Sequence, residues 1–163
     1  MTSDIDAATQ AWLDQEDRRT AEIIRRHGTF IQFVGGDQRA RHTSFAYTVG
    51  LFGLGHPELL VFGVDPTSAA NILNDVSARI RDGSDLVPGE ILTFADRPHR
   101  VLIEAVPNPG EIAFTANRFY QRPDEYSVPV YQLTIDDEGG RFPGEPGYSR
   151  PAWLQPRPGE FRA

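Results

Sequence analysis

The stretch SFAYTVGL, residues 44–51, decides the fold because bulky and small side chains alternate along it. Successive side chains of a β-strand point to opposite faces of the sheet. One face is bulky and is predicted to pack into a core; its members are Phe45, Tyr47, Val49 and Leu51. The other has almost no side-chain volume; its members are Ala46, Thr48 and Gly50. The sequence leaves two occupants open for this small face: another part of the chain, or a ligand.

Segments on either side of this stretch predict further strands. TFIQFV (29–34) precedes it and is rich in residues that favour strands. ELLVFGV (58–64) follows it, and its continuous apolar run predicts a strand buried on both faces. Later strand patterns occur over 90–95, 99–106 and 127–135. Pro129 places the start of the last of these strands at a sheet edge.

Three helices are predicted around the strands. Residues 5–27 carry an amphipathic pattern. Asp65 as N-cap and Pro66 at the first helical position begin a second helix. Asn108 is well placed to cap a third helix, which ends before Pro123. The element order predicts an α+β fold with a largely antiparallel sheet, an N-terminal helix and two further helices packed on it.

Residues 1–140 are predicted to form a single domain, and residues 141–163 a C-terminal arm rich in proline and glycine. The arm retains aromatic side chains, which a flexible tail does not need; they are Phe142, Tyr148, Trp153 and Phe161. We therefore expect it to lie over the domain or over a partner. The alternative is a partly disordered tail.

Composition excludes several classes of protein. No apolar run approaches the roughly 20 residues that span a bilayer, so no membrane association is expected. A net charge of −7 argues against a nucleic-acid binder. The chain has no cysteine and no lysine, which excludes disulfides, thiolate metal sites, Schiff bases and P-loops. A cytoplasmic location is expected.

Several sequence words carry a resemblance to a known family. FAYTVGL, GHPELLVFG and YQLTIDDEGGRFPGEPG, in this order, resemble the bacterial family of domains of unknown function DUF4262. The resemblance spans residues 27–148 and transfers no catalytic residue, because the family label assigns no activity. The order of elements is also similar to the flavin-binding split β-barrel, which implies a sheet closed into a barrel and flavin mononucleotide held at a dimer interface. No signature of that superfamily stands in this sequence, so this is an analogy of fold.

The loop before SFAYTVGL supplies candidate ligand-binding residues. RARHTS (39–44) gathers guanidinium, imidazole and hydroxyl groups, which suit a phosphate. The small face of the following strand can accept a flat ring system. The predicted cofactor-binding residues are Arg39, Arg41, His42, Ser44, Tyr47, Thr48 and Gly50. The alternatives are a solvated hairpin loop and a small face covered by protein.

GHPE offers a candidate catalytic pair. His56 and Glu58 stand two apart and point the same way in extended backbone. A histidine with a carboxylate is the smallest acid–base pair. The alternative is a turn ended by Pro57 that leads into a strand. No metal site is predicted, because the four histidines are scattered and no HExxH motif occurs.

Besides a cofactor-free enzyme that uses His56 and Glu58, two functions remain open from the sequence. The first is binding of a small anionic or flavin-type ligand by the 39–50 region, with redox chemistry run by the cofactor. The second is a non-catalytic interaction module or homodimer that uses the C-terminal arm.

Overall fold

Six strands form one sheet in the order β1-β2-β3-β6-β5-β4. The structure is a computed structural model, and it describes residues 6–162. The strand bounds are β1 Phe30–Val34, β2 Phe45–Val49, β3 Glu58–Phe62, β4 Ile91–Phe94, β5 Arg97–Ala105 and β6 Val130–Ile135. Every neighbouring pair is antiparallel except β3 and β6, which are parallel. The prediction of a largely antiparallel α+β fold is confirmed. The sheet is open, with β1 and β4 at its edges, and residues 6–162 form no closed barrel.

The first two helices begin where the sequence predicts. Helix α1, Ala7–His27, starts after Asp6, whose carboxylate accepts a hydrogen bond from the Thr9 N–H. Helix α2, Pro66–Arg81, starts after Asp65, whose carboxylate accepts from the Ser68 N–H. Both contacts satisfy a backbone donor that the first turn leaves free. Residue 5, where α1 was predicted to begin, lies outside the described residues.

The third helix is shorter than predicted. Helix α3 covers only Phe114–Phe119 and is preceded by a 3₁₀ turn at Pro109–Glu111. Asn108 does not cap this turn through its side chain. Its amide instead donates to the Glu111 carboxylate and to the carbonyl of Phe161, so it ties the turn to the C-terminal arm.

The sheet carries a core on each face. On one face α2 packs over a cluster that includes Ala46, Leu59 and Val61. On the other face Phe45 and Tyr47 join residues from α3 and its preceding turn. The small face of β2 is therefore covered by α2, as the protein-covered alternative requires. The hydrophobic effect thus makes β2 and β3 fully buried central strands.

Two sequence expectations about strand position are wrong. Leu51 was placed with the bulky face of β2, but it lies past the end of the strand and joins the core under α2. The segment that forms β6 was expected to start at an edge, whereas it lies between β3 and β5. Pro129 precedes the first residue of β6, so its missing N–H removes no bond of the ladder.

The C-terminal segment, residues 149–162, lies on the domain. The Gln155 amide donates to the Ile135 carbonyl and accepts from the Ile135 N–H, both at 2.8 Å. Arg157 makes a bidentate ion pair with Glu104. Within residues 6–162, no helix has both the length and the apolar composition to cross a membrane.

Candidate functional site

The most apolar of the large clefts is a groove of about 570 Å³ beside β2. It is bounded by α1, the β1–β2 hairpin, α3 and the end of the C-terminal segment. The side chains that line it include Trp12, Gln32, Val34, His42, Phe45, Tyr47, Phe114, Thr115, Arg118 and Phe161. This volume lies in the range of small-molecule sites, which are mostly apolar with a few convergent polar groups.

Aromatic side chains form both the rim and the floor of the groove. Trp12 is 57% exposed and Phe114 is 49% exposed, which is unusual for side chains of this size. Phe45 and Tyr47 lie beneath them, buried and stacked with their ring centroids 6.2 Å apart. Phe161 from the C-terminal segment packs edge-on against Phe45 at 5.1 Å. The groove therefore offers flat apolar surfaces both at its mouth and at its base.

The Tyr47 hydroxyl is the polar group at the base of the groove. Its oxygen accepts a hydrogen bond of 2.9 Å from the Thr115 N–H. Within residues 6–162 the hydroxyl donates to no acceptor. Burial raises the pKa of Tyr47, although the hydrogen bonds from Thr115 lower it in part. The phenol therefore keeps its proton at neutral pH, and a ligand oxygen or nitrogen can receive it.

Ion pairs flank the groove. Arg118 pairs with Asp17 of α1 at 3.2 Å, and Arg162 pairs with Glu111. Both arginines line the groove, and each pair joins two segments that form its walls. These partly exposed ion pairs contribute little to stability, but each links two segments that form the walls of the groove.

The predicted phosphate-binding loop runs along one end of this groove. His42 lines it, whereas Arg39 and Arg41 lie on the exposed surface of the same loop. Neither arginine makes an ion pair with another described residue. Ser44 lies elsewhere, in a narrower cleft of about 340 Å³ beside Trp153.

Thr48 and Gly50 serve a structural contact instead of lining the groove. The Thr48 hydroxyl donates to Glu58 Oε1 at 2.8 Å and accepts from the Leu59 N–H at 2.9 Å. Gly50 has φ +134°, and a Cβ there would lie 2.9 Å from the carbonyl oxygen of Gly28. A glycine is therefore required at position 50, just after β2, because the backbone of Gly28 approaches it closely.

Glu58 is a buried carboxylate that organises the turn after β2. It accepts from the backbone N–H groups of Gly50, Leu51 and Phe52, each at 3.0 Å, as well as from Thr48. Burial raises the pKa of the Glu58 carboxyl, and these four hydrogen bonds lower it in part. A carboxylate that accepts from several backbone N–H groups can stay charged without a cation.

The predicted His56–Glu58 pair is not joined by a hydrogen bond among the described residues. His56 Nδ1 lies 2.7 Å from the Pro57 carbonyl oxygen, so Nδ1 carries the proton. The ring packs edge-on against Tyr131 and is 7% exposed, and its Nε2 has no partner among the described residues. The two side chains therefore bond to other groups: His56 donates to the Pro57 carbonyl, and Glu58 accepts from three backbone N–H groups and from the Thr48 hydroxyl.

Of the seven predicted cofactor-binding residues, the groove brings together His42 and Tyr47. Sequence reasoning missed Trp12, Phe114 and Phe161, which come from α1, α3 and the C-terminal segment. Their only local signal was aromatic content in segments whose packing partners are distant in sequence. No group of three or more acidic or histidine side chains suited to a metal ion occurs within residues 6–162.

Comparison with known proteins gives one match. No curated protein and no solved structure shows a significant similarity to this chain. The model of the family described as "Domain of unknown function (DUF4262)" matches residues 23–149, which include β1 to β6, α2 and α3. The sequence words that carried the resemblance all lie inside this range. Because the match covers most of the chain, this protein belongs to the DUF4262 family.

Proposed function

We propose that this domain binds a small flat ligand of the flavin type in the groove beside β2, with the ring system on the apolar walls. The observation that carries the proposal is the Tyr47 hydroxyl. It is buried at the base of the groove, keeps its proton, and has no acceptor among the described residues. The hydroxyl already accepts from the Thr115 N–H, so a ligand acceptor would take up only the O–H donor that remains.

The aromatic rim supports the choice of a flat ring system. Trp12 and Phe114 are both about half exposed across the mouth of the groove, and stacking on a ring would cover them. Large exposed aromatic side chains in a concave site are typical of ligand or partner surfaces. An isoalloxazine ring also carries carbonyl and ring-nitrogen acceptors that suit the Tyr47 donor.

The loop next to the groove supports an anionic tail. Arg39 and Arg41 are exposed and without ion-pair partners among the described residues, and His42 of the same loop lines the groove. A phosphate that leaves the ring system at this end would meet them. Any redox step would be the chemistry of the bound cofactor.

Tryptophan fluorescence tests the proposal because the two tryptophans of the chain lie in different places. Trp12 lines the groove, whereas Trp153 lines the adjoining cleft beside Ser44, which shares His42 and Thr43 with the groove. In a Trp153→Phe variant, titration with riboflavin or flavin mononucleotide should quench the Trp12 emission in a saturable way. In the matched Trp12→Phe variant, the remaining Trp153 emission should be quenched less at saturation.

Two further variants distinguish binding of the ring system from binding of the phosphate group. Tyr47→Phe keeps the aromatic ring at the base of the groove and removes the hydroxyl donor. It should therefore lower the affinity for riboflavin and for flavin mononucleotide by roughly fivefold to tenfold. The double variant Arg39→Gln with Arg41→Gln should weaken flavin mononucleotide and leave riboflavin unchanged. The proposal is wrong if neither flavin nor a deazaflavin quenches Trp12, and if freshly purified protein shows no visible absorbance.

The alternative, docking through the C-terminal arm, has less support. Phe161 and Gln155 of the arm are both in contact with the chain's own domain. A partner would have to displace these contacts.

A further inference from the structure

A second cavity, of about 530 Å³, opens where the parallel strands β3 and β6 end. It shares no lining residue with the groove beside β2. Its polar lining comes from the start of α2, the β4–β5 turn, β5 and the C-terminal segment; the charged and imidazole side chains are Asp65, Asp96, Arg97, His99 and Arg150. The cavity therefore gathers charges of both signs that the flavin proposal does not use.

His99 is held in one orientation at the wall of this cavity. Its Nδ1 lies 3.1 Å from Asp136 Oδ1. Asp136 is 2% exposed and also accepts from the Arg100 N–H at 3.0 Å and from Arg100 Nε at 3.2 Å. Because a carboxylate only accepts, Nδ1 of His99 carries the proton and Nε2 is left for a group in the cavity. Such an acid behind a histidine fixes the tautomer and the direction of the ring.

Two guanidinium groups stand in the same wall, and each is held from outside the cavity. Arg97 pairs with Asp75, and Arg150 pairs with Glu138. Neither of these acids lines the cavity, although Asp96, which does, lies 3.9 Å from Arg97 Nε. Arg97, His99 and Arg150 therefore each have an acidic partner outside the cavity, which is buried for His99 and partly or mostly exposed for the two arginines. Pre-oriented donors of this kind are typical of binding sites.

The lining of the cavity also includes two carboxylates. Asp65 lies at the start of α2, and its two oxygens accept from the N–H and the hydroxyl of Ser68 at 2.9 Å and 2.8 Å. The Ser68 N–H is the main cause that lowers the pKa of Asp65, so this carboxyl is charged at neutral pH. Asp96, at the β4–β5 turn, also lines the cavity, but it lies beside Arg97, with its Oδ1 3.9 Å from Arg97 Nε, and its side chain is 77% exposed.

We propose that this cavity binds a small zwitterion, a molecule that carries a carboxylate and an ammonium group a few bonds apart. The carboxylate lies against Arg97 and Arg150, the ammonium group lies towards Asp65, and Nε2 of His99 accepts a hydrogen bond from the bound molecule. Charge complementarity selects this class. A simple anion would leave the Asp65 charge without a partner in the ligand, and a simple cation would leave the two arginines without one.

A matched set of probes tests the charge requirement. γ-Aminobutyrate carries both charges, butyrate only the carboxylate and butylamine only the ammonium group; β-alanine and 5-aminovalerate, with their own single-charge analogues, vary the spacing. Isothermal titration calorimetry measures the affinity, and the ¹⁵N chemical shift of His99 Nε2 at fixed pH, assigned by comparison with His99→Gln, reports contact with the imidazole. At least one zwitterion should bind tenfold or more tightly than both of its matched single-charge probes.

Charge-removing variants locate the two ends of the ligand. Asp65→Asn is the more informative of the two variants, because asparagine caps a helix about as well as aspartate does; besides the charge, only the acceptor for the Ser68 hydroxyl is lost. It should weaken the zwitterion about tenfold and leave butyrate unchanged or tighter. Arg97→Gln should weaken zwitterion and butyrate alike. The control Arg18→Gln with Arg19→Gln removes two exposed charges on α1 and should change neither.

Three results would overturn the proposal. The first is that no zwitterion in the set outbinds its single-charge analogues. The second is that Asp65→Asn weakens butyrate as much as the zwitterion. The third is that binding occurs without a shift of the His99 signal. Trp12→Phe and Tyr47→Phe should have no effect on these titrations, so failure here is separate from failure of the flavin proposal.

Discussion

At the scale of single residues, Glu58 shows how a polar side chain that looks catalytic can be structural. Its carboxylate accepts four hydrogen bonds and is fully buried. Glu58→Gln keeps the shape but turns an NH₂ group towards backbone N–H donors. We expect a loss of roughly 2–4 kcal/mol in the free energy of unfolding, measured by urea denaturation.

The control for this prediction is Glu22→Gln, which removes an exposed ion pair with Arg26 on α1 and should cost less than about 0.5 kcal/mol. Glu58→Gln with wild-type stability would show that the turn after β2 does not depend on the carboxylate. It would also restore Glu58 as a candidate for chemistry with His56.

The carboxylate of Asp137 should make the stability of the folded protein depend on pH in acid. Its carboxylate accepts from the backbone N–H groups of Gly139, Arg141 and Ser149 and from the Ser149 hydroxyl, each at 2.9 Å. These bonds, that of Arg141 first, lower the pKa of Asp137 from 3.8 to about 2. A pKa that is lower in the folded state gives stability that is complete above about pH 4 and lost as the pH falls towards 2.

The measurement is the urea midpoint of unfolding of wild type and Asp137→Asn at several pH values between 2 and 6. The variant should be less stable at neutral pH, and the difference between the two proteins should shrink below about pH 4. Asp96→Asn, at a mostly exposed side chain, is the control and should run parallel to wild type. Parallel curves for Asp137→Asn would contradict the prediction.

At the scale of elements, Gly50 joins the end of β2 to the turn after α1. Its φ of +134° is reached readily only by glycine, and a Cβ would lie 2.9 Å from the Gly28 carbonyl oxygen. Gly50→Ala should therefore lower the free energy of unfolding by roughly 2–4 kcal/mol. Gly35→Ala is the matched control, because nothing lies within 4 Å of a Cβ there. It should be neutral or stabilising by up to about 1 kcal/mol in the same urea experiment.

The elements that could be predicted are those whose signals are local. Asp65, Pro66 and a helical spacing of apolar residues predict helix α2, and all three signals lie within the segment that forms the helix. The parallel pairing of β3 with β6 could not be predicted, because no residue in either strand identifies its neighbour. The position of β6 at the centre of the sheet followed from that pairing, and the proline signal for an edge applied only to the residue before the strand.

The same difference separates the predicted from the missed parts of the candidate sites. Tyr47 and His42 were predicted because they lie in or beside one conspicuous strand. The groove itself needs Trp12, Phe114 and Phe161, which meet only when three distant segments fold together. His99 lies in β5 and Asp136 directly follows β6, so these two residues also meet only because strands far apart in sequence are neighbours in the sheet. Alternation and spacing report which way a side chain points, but they do not report what it meets.

At the scale of the whole molecule, the C-terminal segment completes the domain. Phe161 packs with Phe45 and with Phe62, whose ring centroid lies 5.4 Å away. Gln155 bonds to both backbone groups of Ile135, which lies past the β6 residues that pair with β3. The segment therefore covers apolar surface and satisfies backbone groups at the end of a central strand, both of which stabilise the folded state.

A chain lacking residues 149–163 should consequently lose more than about 3 kcal/mol of unfolding free energy and should expose apolar surface that binds a hydrophobic dye. Gln155→Ala, which leaves the Ile135 N–H and carbonyl without partners, tests the same contact in the full chain and should cost roughly 2 kcal/mol. Urea denaturation measures both, and light scattering measures the oligomeric state of each. If the truncated chain kept its stability but changed from dimer to monomer, the segment would be a docking element and not part of the core. If both variants matched wild type in stability and size, the contacts of the segment would contribute nothing to the fold.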